Sequence, residues 1–166
     1  MKKAQHGFSL VELMLMLTVI GILSGVAVAS LNGLTSSQQD VAAARVRSAV
    51  IHAQLWAIST GDSTWVQFDA GSDLVRLYCE DEGNPGKANR VAMLDPLTRS
   101  AMEIHLGNDS SGITSVDFDT TAEVQFDAQG LPYDADGALL TSDGVVGFTG
   151  GATLRVTRNT GYIKLD

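Results

Sequence analysis

Glu12 is the only charged residue in FSLVELMLMLTVIGILSGVAVASL, the apolar stretch that opens at Phe8. A carboxylate inside an apolar helix of this kind costs about 2.5 to 3.5 kcal/mol on membrane-insertion scales, so a partner or a function is expected for it. Cleavage after Gly7 would supply one. The new α-amine of Phe8, with an ordinary pKa of about 7.7 to 8.0, is largely cationic near neutrality and stands one helical turn from Glu12. A neighbouring subunit displaced by about one turn would offer its own amine to the same carboxylate, neutralising both charges within an apolar bundle. The chemistry these residues point to is a charge-paired assembly contact that removal of a leader makes possible.

Elsewhere the residue types that usually carry catalysis form no pattern. His6, His52 and His105 are scattered, and no HExxH, GxSxG, phosphate-binding glycine loop or cysteine pair occurs, so metal hydrolysis, acyl transfer and nucleotide binding lack a starting motif. The reading is of a protein that is not an enzyme and carries no cofactor or metal. Asp134-Ala135-Asp136-Gly137 resembles a fragment of a calcium loop, but the spaced Glu that completes an EF-hand is missing, and an ordinary acidic turn is expected. Cys79 is the single cysteine, so no intrachain disulfide forms, and a buried thiol is expected. The formal charge is -8; without Lys2 and Lys3 it becomes -10, nine basic residues standing against 19 acidic ones. Such acidity argues against a surface built to neutralise phosphates.

The elements that must position Glu12 follow from the hydropathy. Leu13 to Leu31 is an uncharged run of about 19 residues, long enough to span a bilayer core as a helix. The small residue Gly7 precedes this run instead of following it, so the apolar helix is expected to be kept after cleavage. Lys2 and Lys3 place the leader in the cytoplasm and the C-terminal bulk outside it. The expected organisation is a leader over 1–7, a transmembrane helix over 8–31, a helical extension over 32–60 and a β-rich periplasmic domain over 61–166. Ser30 to Ser37 is a polar exit where the helix could bend. From Gln38 to Ile58 helix formers resume, and Gly61 supplies the stop.

At about 100° per residue, Ala42, Val46, Ala49, Val50, Ala53, Trp56 and Ala57 share one broad face of that extension, while Ile51, Leu55 and Ile58 form a narrower stripe almost opposite. One face is expected to pack on the chain's own sheet and the other on neighbours. Beyond Gly61 the period changes to two: TWVQFD (64–69) and LVRLYC (74–79) read as a hairpin, followed by an exposed acidic loop over 80–89. Further strands are expected over 91–94, 103–106, 116–119, 123–127, 145–148, 153–157 and 162–165, giving two small antiparallel sheets against the helix, an α+β fold.

Gly7-Phe8-Ser9-Leu10-Val11-Glu12-Leu13 resembles the N-terminal signal of type IV pilins and of type II secretion pseudopilins. That resemblance implies a membrane prepilin peptidase that cuts after Gly7 and methylates Phe8, with Glu12 at the family's conserved glutamate. The later order of hairpin, loop-rich middle, VQFDAQG (124–130) and closing hairpin LRVTRNTGYIKL (154–165) resembles the GspH/FimT type of minor pilins and pseudopilins. The implied function is a filament or tip-complex subunit in the bacterial inner membrane, crossing it once, with other pilins and an inner-membrane assembly platform as partners. A DNA-uptake pilus or a major structural subunit remain alternatives. Ala29 stands where major pilins commonly carry a kinking proline. Where some FimT-like proteins bind DNA through Gly-Arg-x-Arg, this chain has Gly161-Tyr162-Ile163-Lys164, so nucleic acid is not an expected partner.

Overall fold

The computed structural model describes residues 9–107, 111–119 and 121–166, with only the backbone of 26–36. Helix α1 (Leu10–Thr60) occupies 51 residues. The chain divides into two compact units, Met1–Ser37 and Gln38–Asp166, and α1 contributes to each.

In the second unit α1 buries Ala42, Ala43, Val46, Ala49, Val50, Ala53 and Ala57. Five of these are alanines, and small side chains let a strand approach the helix backbone: the Thr64 hydroxyl, itself buried, donates to the Ala53 carbonyl at 3.0 Å. The buried arc is displaced toward Ala43 and Val50. Trp56, expected on this face, therefore lies at its opposite margin and is 38% exposed. Of the second stripe, Ile51 is half-buried while Leu55 and Ile58 are exposed.

Two antiparallel sheets complete the unit. The larger contains β1 (Thr64–Asp69), β2 (Leu74–Cys79), β3 (Val91–Ala92), β4 (Glu103–His105), β6 (Glu123–Phe126) and β7 (Pro132–Tyr133), in the order β3-β2-β1-β6-β7 with β4 also on β2. The smaller contains β5 (Ile113–Asp117), β8 (Gly144–Phe148), β9 (Thr153–Val156) and β10 (Ile163–Leu165), ordered β10-β9-β8-β5. Strands β1 and β2 pair from Thr64↔Cys79 to Asp69↔Leu74, the hairpin expected from the alternation.

Strand β5 begins three residues before its expected start because its register shifts between Ile113 and Ser115, and a bulge there breaks the period of two. β7 went unanticipated, being two residues long and starting at a proline. The sheets and helix share one apolar core, in which Phe68 on β1 and Phe118 just past β5 stack with ring centroids 5.5 Å apart. A side chain at Gly144 would run into the Phe118 ring.

Polar ties fix the loops on this frame. Gln54 Nε2 donates to the carbonyls of Gly130 at 2.9 Å and Gly161 at 3.0 Å, joining α1 to two turns distant in sequence. Both glycines have positive φ, 77° and 64°, and a Cβ at Gly161 would collide with the Gly130 carbonyl. Glu123, 6% exposed, is held by Arg90 at 2.6 Å and Lys87 at 2.9 Å, and Arg90 lies 4.4 Å above the Tyr78 ring. The loop after β2 is thus mostly exposed, as expected, but its basic end folds back onto a buried acid.

Cys79 is half-buried and not fully enclosed, because it ends β2, opposite Thr64 on one side and Val91 on the other. Burial, followed by the charge of Asp62, pushes its thiol above the ordinary range.

Candidate functional site

Glu12 lies in the first turn of α1, where a carboxylate is favoured by the positive end of the helix dipole. Ser9 precedes the helix and caps it: its Oγ accepts the Val11 amide at 3.3 Å and its carbonyl accepts the Leu13 amide at 3.1 Å. Ser9 and Glu12 have the spacing of a capping box, a local signal that the sequence reading passed over. Glu12 nevertheless makes no hydrogen bond or ion pair with any described residue. Gly7 and Phe8, the expected processing residues, lie outside the described residues.

The helix around Glu12 shows an apolar surface on every side. The large apolar side chains from Leu10 to Leu23 are each between 47% and 75% exposed. The intervening hydroxyls are turned inward onto the backbone: Thr18 Oγ1 donates to the Leu15 carbonyl at 2.8 Å and Ser24 Oγ to the Ile20 carbonyl at 2.8 Å. Back-bonding of this kind removes polar hydrogens from the surface and leaves it suited to lipid or to another apolar helix. An exposed apolar area of this extent marks an interaction surface. Among the described residues no helix is both long and apolar enough to cross a membrane. The expected span over 8–31 begins and ends outside the residues whose side chains are described.

The remaining candidates are placed in the second unit. Asp134 Oδ1 accepts the amides of Asp136 and Ala138, both at 2.9 Å, so its carboxylate closes a turn. On the closing hairpin, Arg155 lies 3.8 Å from Asp143 and 3.6 Å from Asp166, and Lys164 pairs with Asp166. The Lys164 hydrogen bond, with smaller help from Arg155, holds the Asp166 carboxyl below its usual range. His52 and His105, distant in sequence, line one groove between α1 and β4.

The prokaryotic N-terminal methylation motif matches residues 2–28, the segment that contains Gly7, Phe8 and Glu12. The fold is similar to that of the minor pseudopilin EpsH from the type 2 secretion system of Vibrio cholerae, at 12% identity and a TM-score of 0.53, covering 78% of this chain and 96% of that one. It is equally similar to the type IV minor pilin FimU of Pseudomonas aeruginosa, at 13% identity and a TM-score of 0.53, covering 78% of this chain and 89% of that one.

The chain thus joins an N-terminal methylation motif over residues 2–28 to a fold similar to those of a minor pseudopilin and a minor pilin.

No curated protein matches its sequence. The pilin-like α+β fold accounts for both halves of α1: its second half supplies one layer of the domain, and its first half carries the motif on an uncovered apolar surface.

Proposed function

We propose that this pilin-like chain is a minor pilin or pseudopilin that works by joining a filament of type IV pilus or type II secretion kind, and not by catalysis. In this reading a prepilin peptidase cuts after Gly7 and methylates Phe8. The apolar first half of α1 anchors the subunit in the inner membrane with its C-terminal domain in the periplasm, until an assembly platform transfers it into the filament. Glu12 then pairs with a terminal amine in the polymer core. The similarity to EpsH and FimU supports a minor subunit, and the two resemblances are alike enough to leave secretion and pilus machinery equally supported.

One observation carries the reading: the surface from Leu10 to Leu23 is apolar all round and uncovered, and its only charge has no described partner. Such a surface needs either lipid or neighbouring helices, and a subunit that exchanges one for the other uses both. Intact-mass measurement of the membrane-bound protein tests the processing step. Mature material is expected to begin at Phe8, and a bulky replacement of Gly7 should retain the uncut precursor. Functional filaments built from chains that still carry Met1, or that have lost the apolar helix, would refute the proposal.

A further inference from the structure

Between α1 and the strand β4 lies an open groove of about 820 Å³, lined by Arg45, Ser48 and His52 on the helix and by β4 with Met102 just before it. Its volume is in the range of roughly 300 to 1,000 Å³ typical of ligand sites. All of its lining residues belong to the unit Gln38–Asp166, so the inference stands apart from the filament assignment.

The strand side offers main-chain hydrogen bonds. Leu77 donates its amide to Met102, and Leu106 donates to Asp73, within a register that opposes Val75 and Ile104. In an antiparallel pair the bonded residues alternate, so Met102, Ile104 and Leu106 face β2 while the peptide groups of Glu103 and His105 point away from it. Among the described residues β4 pairs with β2 alone.

The helix side offers charge and donors. Arg45 and Ser48 are exposed and have no partner among the described residues, and the buried Nε2 of His52 has none either. Residues 45, 48 and 52 recur at helical spacing and so share one side of α1. The single acid in the lining, Glu103, is already engaged by Arg76 at 3.3 Å and by His105 at 3.6 Å. On a chain of net charge -8 this groove therefore presents an uncommitted cation, Arg45, whose charge no described acid answers.

We propose that the groove binds an extended, carboxylate-bearing peptide segment of a partner protein, which pairs with the free edge of β4 while an acidic side chain meets Arg45. Main-chain pairing supplies a sequence-tolerant part of the affinity and the helix side selects for acid. A neutral or basic segment would leave Arg45 without a counter-charge, so acidity discriminates between partners.

The test uses the full chain in detergent micelles and three fluorescein-labelled octapeptides in which Thr alternates with Glu, Gln or Lys, read by anisotropy. The Glu peptide is expected to bind at least about tenfold more tightly than the Gln peptide, and Arg45→Glu to remove that preference. Arg45→Gln, a milder change at an exposed site, should reduce it, with thermal unfolding confirming an intact domain. Methylating the peptide's alternate backbone nitrogens should abolish binding if the strand edge is used. Equal affinity for all three peptides, an unchanged preference in both Arg45 variants, or full binding of the methylated peptide would overturn the proposal. So would self-association that Arg45→Glu abolishes, because the occupant would then be a second copy of this chain.

Discussion

The two halves of α1 spend apolar residues in opposite ways. Near its start, Leu, Met and Ile project into the surroundings and are uncovered; from Ala42 to Ala57 the core-facing positions are mostly alanine and are buried almost completely. The difference follows from where the covering surface comes from. Where the chain's own sheets supply it, a strand must come close enough for Thr64 to reach the Ala53 carbonyl, and only small side chains leave room. Where the cover comes from outside, large flexible side chains maximise contact with lipid or neighbouring helices. In the proposed function one helix thus serves a fixed core and an exchangeable one.

That contrast breaks most visibly at the aromatic stack. Phe68→Ala should destabilise the folded domain by about 3 to 5 kcal/mol in urea unfolding of the detergent-solubilised chain, whereas Leu17→Ala, equally a loss of bulk, should leave the unfolding midpoint unchanged. Ala53→Leu, overpacking the point of closest helix–strand approach, is expected to cost about 1 to 3 kcal/mol. Gln54→Ala removes the amide that joins Gly130 and Gly161 to the helix and should cost about 1 to 3 kcal/mol, with faster amide exchange in both turns but none in the N-terminal half.

The smallest expected effect concerns pH. The Thr141 amide, followed by the Ser142 hydroxyl, holds the Asp119 carboxyl below its ordinary value. A group depressed in the folded state contributes stability that is fully present above its unfolded value of about 3.9 and is lost as pH falls through the folded value. The urea midpoint should therefore decline on acidification below about pH 4, and Asp119→Asn should flatten part of that decline while leaving the N-terminal half untouched.

Much of this organisation is legible in local sequence. The uncharged run, the single Glu12, the hairpin of TWVQFD and LVRLYC, and the alanine-rich face of α1 each depend on neighbours within a few residues, and the structure gives the hairpin its expected bounds. What escaped reading depends on distant partners. The place of β6 beside β1, the Arg90 and Lys87 clamp on Glu123, and the shared groove of His52 and His105 are fixed by chain segments tens of residues apart. Trp56 was misplaced for a related reason: periodicity gives the centre of an apolar face but not its edges, which the shape of the opposing sheets decides. Ser9 was local and still overlooked, since its cap role was hidden beside the stronger signal of the apolar run.

The claim on which the account turns is that Glu12 serves contacts between subunits and not the folding of its own chain. Expressing Glu12→Ala in cells and comparing membrane and sheared-filament fractions tests this directly. The account predicts a cleaved protein at normal abundance in the membrane and a marked loss from filaments; incorporation equal to that of the unsubstituted chain would contradict it.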